Sequence, residues 1–234
     1  MIDKPVMVIT GTRKGIGKYL AEYYAKKGFI IIGCSRGDID FELNNYQHYC
    51  LDVSKESSVK KMFVEIRKHY GRLDVLINNA SVNYALSPVL LMPYESALKT
   101  VEINLLGTFL MLREAVKIMM KKSFGRIINF GSMAVKHEVK GEAIYTSSKA
   151  AVVSLTSVIA KEVFKYGITC NVISPSAIDT DLMKNINSDA LEEVLSRNAI
   201  PDKGRLEDVS NTIDWLIDQK SNAITGQNIF LGGV

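Results

Sequence analysis

A tyrosine and a lysine one helical turn apart have the spacing that most clearly indicates chemistry in this sequence. Tyr145 and Lys149 stand four residues apart within residues 143–150, and in a helix the side chains at these positions share a face. An ammonium group beside a phenol favours the phenolate, so it is predicted to lower the pKa of Tyr145 toward neutrality. The pair is therefore predicted to give and take a proton. The alternative is a chance pair on a partly exposed helix, because this spacing is common.

A small hydroxyl side chain stands thirteen residues upstream of Tyr145. Ser132 follows residues 127–130, an apolar run that is predicted to form a buried strand. Side chains at the ends of such strands can reach a ligand in the cleft beyond the sheet. The alternative role of Ser132 is that of an ordinary turn residue.

A glycine-rich turn lies between a predicted strand and a predicted helix near the start of the chain. Gly11, Gly15 and Gly17 form the pattern Gly-x-x-x-Gly-x-Gly, and an amphipathic stretch over residues 19–27 follows. The free N–H groups and the dipole at such a helix start bind a phosphate, and glycine lets the backbone approach it. A P-loop is excluded, because Tyr19 stands where that motif needs serine or threonine. The spacing also differs from the usual Gly-x-Gly-x-x-Gly of dinucleotide sites.

These motifs together resemble the short-chain dehydrogenase/reductase family, and the resemblance runs nearly end to end. The segments and residues that match the family are 10–17 for Thr-Gly-x-x-x-Gly-x-Gly, 78–80 for Asn-Asn-Ala, Asn104 for the helix asparagine, Ser132 for the serine, and Tyr145 with Lys149 for Tyr-x-x-x-Lys. The closing segments 200–206 and 224–227 look like those of bacterial ketoacyl-carrier-protein reductases.

The resemblance implies reversible hydride transfer between NADP(H) and a carbonyl compound or secondary alcohol. In that scheme Tyr145 protonates the nascent alkoxide, and Lys149 lowers the pKa of Tyr145 and bonds the nicotinamide ribose. Ser132 hydrogen-bonds the substrate oxygen, and Asn104 maintains a helix distortion and a water that links Lys149 to solvent. The implied catalytic residues are thus Asn104, Ser132, Tyr145 and Lys149. The implied cofactor-binding residues are Gly11, Thr12, Arg13, Lys14, Gly15, Ile16, Gly17, Ser35, Arg36, Asp52, Val53, Asn79, Ala80, Ser81, Tyr145, Lys149, Pro175, Ile178 and Thr180.

Two positions depart from the family pattern, and a third has an open alternative. Ser81 and Ser176 stand where the family usually has glycine, close to the nicotinamide. Serine is small, so we expect altered geometry there rather than lost binding. Asp52 and Val53 match the position that touches adenine in the family, but Asp52 could equally cap the helix that is predicted to begin near Ser54.

The end of the second predicted strand discriminates between the two nicotinamide cofactors. Dinucleotide sites place an acid there for the ribose hydroxyl of NAD, or an arginine for the extra phosphate of NADP. Ser35 and Arg36 occupy this position, and neither is an acid. Lys14 in the glycine-rich turn adds a second positive charge, and Arg13 could add a third. Asp38 lies two residues further on and is discounted. NADP(H) is therefore predicted to be preferred over NAD(H).

Strand-like and helix-like segments alternate along the chain, which predicts a single Rossmann-like α/β domain over residues 1–234. It is expected to have a doubly wound, mostly parallel seven-stranded sheet with helices on both faces. The helix that the family has after the second strand is predicted to shrink to a turn over residues 42–46, and a lid over the substrate is predicted at about residues 181–204. The strands are predicted at Pro5–Thr10, Ile30–Cys34, His48–Leu51, Asp74–Asn78, Arg126–Phe130, Thr169–Ile173 and Asn228–Leu231.

Composition argues against several other classes of protein. The 234 residues carry a net charge of +4 without a long basic run, so no nucleic-acid surface is predicted. The apolar stretches are strand-sized and no signal peptide is recognised, so the protein is expected to be cytoplasmic, away from membranes. The three cysteines and three histidines lack ligand spacing, so no metal site is predicted.

Two helical segments, residues 105–121 and 150–165, are apolar on more than one face. Such helices must be covered by the core or by a partner, and the resemblance implies a homotetramer or a homodimer that covers them.

The substrate is left open by the sequence. The closing segments imply a 3-oxoacyl thioester on a carrier protein, with a sugar, polyol or small ketone as the alternative. A non-catalytic NADP-binding sensor or scaffold is the alternative from another class, although such proteins normally lose the residues that Tyr145, Lys149 and Ser132 match. The residues expected to line the substrate pocket mix apolar and charged groups, and they are Val82, Tyr84, Ala134, Lys136, Glu138 and 182–186.

Overall fold

The described part of the chain forms seven strands, most of them apolar runs rich in isoleucine and valine, and they match the seven predicted ones. A computed structural model describes residues 4–84, 87–178, 192 and 195–233. The largest difference from the prediction is at the third strand, which begins at Tyr46 rather than His48 because this half-exposed strand carries polar residues and a weak apolar signal. The strands are β1 (Val6–Thr10), β2 (Ile30–Ser35), β3 (Tyr46–Cys50), β4 (Val75–Asn78), β5 (Gly125–Phe130), β6 (Ile168–Ser174) and β7 (Asn228–Phe230).

The seven strands form one sheet in the order β3-β2-β1-β4-β5-β6-β7. Every strand pair within the described residues is parallel, so the sheet is fully rather than mostly parallel. The central strands β1, β4, β5 and β6 are buried along their whole length, as expected of a parallel sheet covered on both faces.

Helices cover both faces of the sheet, as the alternating pattern predicted. Buried side chains of α1 (Gly15–Lys26) and α7 (Leu206–Ile217) pack on one face. Those of α2 (Glu56–His69), α4 (Thr108–Met119) and α6 (Ala143–Val163) pack on the other. These layers form a single α/β domain. Among the residues that the structure describes, the helices are α1 (Gly15–Lys26), α2 (Glu56–His69), α3 (Tyr94–Val101), α4 (Thr108–Met119), α5 (Ala134–His137), α6 (Ala143–Val163) and α7 (Leu206–Ile217).

Two helical regions differ from regular α-helix. Residues 36–45, between β2 and β3, form bends and turns without a helix, which confirms the predicted loss of that helix. The segment predicted as a helix over residues 105–121 is helical, but its first part belongs to a π-helical turn, Glu102–Gly107, that precedes α4. A π turn inserted into a helix is often found at a functional site.

Within the described ranges one helix, Ala143–Tyr166, is long and apolar enough to cross a membrane, judged by length and composition alone. It consists of α6 and the short turn after it, and it packs against β6 within the domain. Of the predicted lid, most lies outside the described residues. Its described end is joined to the domain through Ile200 N–H, which donates to Gly232 O at 2.8 Å, and Gly204 N–H, which donates to Ala177 O at 2.9 Å.

Candidate active site

A cleft at the carboxyl ends of the strands gathers most of the predicted site residues. The strand order reverses at β1, which pairs with β2 on one side and β4 on the other, and ligands of such sheets bind at that point. The cleft has a volume of about 630 Å³. The predicted residues that line it are Gly11, Arg13, Lys14, Gly15, Ile16, Ser35, Arg36, Asp52, Val53, Asn79, Ala80, Ser81, Ser132, Tyr145, Lys149, Pro175 and Ile178.

Four predicted residues are not among those that line the cleft. Thr12, Gly17 and Asn104 are buried behind its wall, and Thr180 lies outside the described residues. Thr12 faces the interior because its Oγ1 shares a hydrogen bond of 2.8 Å with the hydroxyl of Tyr46. These three therefore support the wall rather than form it.

The glycine-rich turn has the backbone geometry that a bound phosphate requires. Gly11 has φ +76° and Gly15 has φ +59°, a region that favours glycine. A Cβ on Gly17 would collide with the carbonyl oxygen of Gly11 and lie 2.6 Å from Nδ2 of Asn79. The helix α1 begins at Gly15 without a side-chain cap, so its first N–H groups can bind an anion.

Asn79 and Ala80, at the end of β4, are held against the glycine-rich turn. The Oγ1 of Thr10 accepts hydrogen bonds from the N–H groups of Asn79 at 3.0 Å and Ala80 at 2.8 Å. Asn79 Nδ2 in turn donates to the Thr10 carbonyl oxygen at 2.8 Å. Two neighbouring walls of the cleft are thus fixed to each other.

The predicted phosphate-selecting residues lie at one end of the cleft. Arg36 and Lys14 are exposed at its edge, and the guanidinium of Arg13 lies against Gly37. The carboxylate of Asp38 accepts a hydrogen bond of 2.8 Å from Cys50 Sγ, and Asp38 is absent from the cleft lining. Asp38 therefore does not share the lining of the cleft with Arg36.

A hydrogen-bonded chain beneath this end was not foreseen from the sequence. The hydroxyl of Tyr46 contacts His48 Nδ1 at 2.7 Å. His48 Nε2 then lies 3.1 Å from Ser35 Oγ and 3.2 Å from the Gly37 carbonyl oxygen. Ser35 Oγ also donates to Gly37 O at 2.7 Å. Because Tyr46 also contacts Thr12, the chain links the glycine-rich turn to the loop that carries Arg36.

Asp52 does not cap α2, which was one of the two roles that the sequence left open. Its Oδ1 accepts hydrogen bonds from the Ser54 N–H at 2.9 Å and from the Ser54 hydroxyl at 2.8 Å. The helix α2 begins only at Glu56, with Lys55 at its cap position. Asp52 therefore fixes the turn before the helix rather than the helix end, and it also lines the cleft.

Tyr145 and Lys149 both lie in α6, so the predicted shared helix face is present. Lys149 is 3% exposed, and its Nζ donates a hydrogen bond of 2.9 Å to the carbonyl oxygen of Phe130. Nζ lies 5.8 Å from the centroid of the Tyr145 ring. Burial lowers the pKa of Lys149 to about 8.

The prediction that Lys149 lowers the pKa of Tyr145 is wrong for this arrangement. Burial raises the pKa of Tyr145 to about 12, and the carboxyl of Glu142 also raises it. The nearby hydroxyls of Ser132 and Ser81 act in the opposite direction but do not offset burial. Since Lys149 is directed at a backbone carbonyl, desolvation of the phenol dominates and Tyr145 stays protonated.

Asn104 ties the loop after β4 to the helix α6. Its Oδ1 accepts from the N–H of Val82 at 2.8 Å, and its Nδ2 donates to the Val82 carbonyl oxygen at 3.0 Å. Nδ2 also donates to Ser148 Oγ at 3.0 Å, and Ser148 Oγ donates to the Tyr145 carbonyl oxygen at 2.7 Å. Asn104 lies in the π-helical turn, at the position where a helix distortion was expected.

The substrate side of the cleft corresponds in part to the prediction. Val82 and Ala134 line it, whereas Tyr84, Lys136 and Glu138 do not. Lys136 instead lies over the ring of Phe230, 5.6 Å from its centroid, and residues 182–186 are outside the described part of the chain. Asn83, Val139 and Glu142 line the cleft and were missed. The spacing of Glu142, three residues before Tyr145, was a signal that could have identified it.

The comparisons with known proteins agree with this geometry. A family model described as short chain dehydrogenase matches residues 5–191. The 3-oxoacyl-[acyl-carrier-protein] reductase of Buchnera aphidicola subsp. Schizaphis graminum is 31% identical over 238 residues, which cover 99% of this chain and 97% of that protein. The NAD-dependent glycerol dehydrogenase of Listeria innocua is 33% identical over 241 residues, which cover 99% of this chain and 94% of that protein. A solved structure, ElxO with NADP bound, is 31% identical with a TM-score of 0.88, covering 97% of this chain and 96% of that one. This chain therefore belongs to the short-chain dehydrogenase family of oxidoreductases.

Proposed function

We propose that this protein transfers a hydride reversibly between NADP(H) and the carbonyl carbon or secondary alcohol of a small molecule. The observation that carries the proposal is the meeting of Tyr145, Lys149 and Ser132 in the same cleft as the glycine-rich turn. NADP(H), when bound, supplies or accepts the hydride. The glycine-rich turn fits the pyrophosphate of that cofactor, because α1 begins there without a side-chain cap and its first N–H groups can bind an anion.

Tyr145 serves as the general acid in the reducing direction. Its raised pKa keeps the phenol protonated at neutral pH, which is the form that can protonate a nascent alkoxide. Ser132 holds the substrate oxygen as it gains negative charge. Lys149, whose pKa burial lowers to about 8, bonds the nicotinamide ribose.

The cofactor preference rests on charge at one end of the cleft. Arg36, Lys14 and Arg13 line that end, and an arginine can hold the extra phosphate of NADP through two parallel hydrogen bonds. The carboxylate of Asp38, the nearby acid, accepts a hydrogen bond from Cys50 Sγ. ElxO binds NADP, whereas the similar glycerol dehydrogenase is NAD-dependent. The charges of this chain favour NADP(H) over NAD(H).

Two substrate classes have support from relatives. The similar reductase from Buchnera acts on a 3-oxoacyl chain carried by a protein, and the similar enzyme from Listeria acts on glycerol. A 3-oxoacyl thioester is one candidate, and a sugar, polyol or small ketone is the other.

The same proposal includes a cytoplasmic homotetramer, or homodimer, built from single-domain subunits of residues 1–234 with a lid at about residues 181–204. The support is exposed apolar surface on the two helical segments that were predicted to be covered by the core or by a partner. Leu106 and Phe109, near α4, are 47% and 36% exposed. Val158 and Phe164, near α6, are each 53% exposed. Surface of this kind marks interaction sites. We propose no binding to nucleic acid or membrane.

The alternative from another class is a sensor or scaffold that binds NADP without turnover. The retained Tyr145, Lys149 and Ser132 in the cleft weigh against it. Binding of NADPH without reduction of any carbonyl compound would favour it.

The decisive experiment is a paired titration of the purified protein with NADPH and NADH, followed by nicotinamide fluorescence and then by a carbonyl screen. Tight NADPH binding, weak NADH binding and consumption of NADPH with acetoacetyl thioesters or hydroxy ketones are expected. Absence of binding by either cofactor would refute the proposal.

A further inference from the structure

Glu142 is a buried acid inside the reaction cleft to which the proposed mechanism gives no role. It immediately precedes α6, three residues before Tyr145, and it lines the same cleft. It is only 7% exposed. It lies close enough to the Tyr145 phenol to raise the pKa of that group.

The carboxyl of Glu142 is only partly satisfied by the protein. Its Oε1 accepts a hydrogen bond of 2.8 Å from Asn83 Nδ2, and Asn83 also lines the cleft. Within the described residues Oε2 has no hydrogen-bond donor, and no lysine or arginine forms a salt bridge with Glu142. Burial raises the pKa of this carboxyl, and the hydrogen bond from Asn83 opposes that change.

A second polar group lies beside Tyr145. The Oγ of Ser81 is buried near the Tyr145 phenol, whose pKa it lowers, and it makes no other hydrogen bond within the described part of the chain. Buried polar atoms without partners are costly, and proteins retain them chiefly where a ligand or water completes their hydrogen bonds. The Oε2 of Glu142 and the Oγ of Ser81 are thus available to a ligand beside the proton donor of the cleft.

The chemistry of these two groups indicates what should meet them. A carboxyl oxygen accepts hydrogen bonds, and a serine hydroxyl can accept or donate one. An aliphatic acyl chain offers neither group a donor and leaves the carboxyl unpaired, which lowers its affinity. A substrate with a carboxylate would also be repelled by Glu142 in its ionised form. A hydroxyl next to the reacting carbonyl supplies the missing donor.

We propose that Glu142 is a specificity-determining residue that selects hydroxy ketones over unsubstituted ketones and 3-oxoacyl thioesters. The inference rests on the proposed hydride transfer and names its substrate class. The substrate hydroxyl donates to Glu142 Oε2 while the carbonyl oxygen lies at Tyr145 and Ser132. In the reduction the carbonyl carbon gains the hydride of NADPH and the oxygen gains the proton of Tyr145. A hydroxy ketone, NADPH and a proton thus become a vicinal diol and NADP⁺.

The test compares substrates that differ only by the hydroxyl. The values of kcat/KM for hydroxyacetone and acetone are measured in the full-length protein with saturating NADPH, and an acetoacetyl thioester serves as the third substrate. Wild-type protein is expected to prefer hydroxyacetone over acetone by about tenfold or more, as loss of one buried hydrogen bond would give.

Two variants of Glu142 then probe the cause of that preference. Glu142→Leu, which has similar bulk and no hydrogen-bonding group, should reduce the ratio of the two kcat/KM values by about tenfold. Glu142→Gln retains an oxygen that can accept the hydrogen bond from Asn83, so it serves as the test if the leucine variant fails to fold, and it should reduce the ratio by a smaller factor. Both variants should bind NADPH as wild-type protein does. The control is Glu162→Gln, an exposed position on the same helix, which should leave the ratio unchanged.

The outcomes separate this inference from the proposed function. Unchanged ratios in both Glu142 variants, with carbonyl reduction intact, would refute the role of Glu142 and leave the reductase standing. The same conclusion follows if wild-type protein prefers the acetoacetyl thioester to hydroxyacetone. If no carbonyl compound is reduced although NADPH binds, the proposed function itself is wrong, and this inference falls with it.

Discussion

The ammonium group of Lys149 is bound to the end of a strand: its Nζ donates a hydrogen bond of 2.9 Å to the carbonyl oxygen of Phe130, the last residue of β5. This contact joins the helix that carries Tyr145 to the strand that leads to Ser132. The lysine is buried with one carbonyl partner rather than a carboxylate, and its pKa falls to about 8 as a result of burial. Its charge therefore opposes folding at neutral pH.

The free energy of unfolding should rise with pH because of Lys149. Between its folded pKa of about 8 and its ordinary value of 10.5, the unfolded chain binds a proton that the folded chain has released, so stability increases across that window. Lys149→Met removes this increase, which is on the order of 3 kcal/mol at most. Urea denaturation of both proteins across the window is the measurement. Parallel curves would show that the lysine is not desolvated as described.

Removal of the Tyr145 hydroxyl should separate chemistry from binding. Tyr145→Phe deletes the proton donor and keeps the ring, so kcat should fall about a thousandfold while the Kd for NADPH changes little. Stopped assays of NADPH consumption and nicotinamide fluorescence measure the two quantities. Appreciable residual turnover would contradict the role assigned to Tyr145.

A charge reversal at Arg36 should change the cofactor preference. Arg36→Asp replaces a phosphate ligand with a repelling carboxylate, so NADPH affinity should fall by about tenfold or more and NADH affinity should rise. The control is Lys61→Asp, an exposed position on α2, which changes the net charge equally. Equal losses in the two variants would mean that general charge, and not contact with the phosphate, governs binding.

Replacement of Gly17 should damage the glycine-rich turn through sterics alone. In Gly17→Ala the new Cβ would collide with Gly11 O and lie 2.6 Å from Asn79 Nδ2, which forces these walls of the cleft apart. NADPH affinity should fall by about tenfold or more. Gly71→Ala, at φ +65° with open space around it, should cost only about 1 kcal/mol of stability and leave NADPH binding intact.

Truncation of Asn104 should affect both stability and catalysis. Asn104→Ala deletes three hydrogen bonds, two to the Val82 backbone and one to Ser148, so the free energy of unfolding should fall by about 2–3 kcal/mol. Loss of the hydrogen bond to Ser148 should also let α6, which carries Tyr145, move, and this should lower kcat. Asn44→Ala, in an exposed turn, is the control, and an equal effect there would contradict the coupling.

Local patterns were enough to predict the strands, the glycine-rich turn and the pair of Tyr145 and Lys149. These features depend on neighbours in the sequence, such as apolar runs and the spacing of a helical turn. The direction of the Tyr145 pKa was not predictable in this way, because it depends on how deeply the phenol is desolvated. The contacts of Tyr46 with Thr12 and of Asn104 with Val82 were also missed, because they join residues that are distant in the chain.

The strand order determines when during synthesis the cleft can exist. In the sheet Met7 pairs with Val75, and Gly125 pairs with Ile168. Each of these strands can therefore pair only after a strand that is synthesised much later has been made. Non-local pairing of this kind folds slowly and leaves unpaired strand edges exposed in the meantime. A ribosome-bound chain that has emerged only as far as α4 already contains the glycine-rich turn, yet it lacks the carbonyl that holds Lys149. Nascent chains should therefore acquire cofactor binding late, after β6 has been released from the exit tunnel.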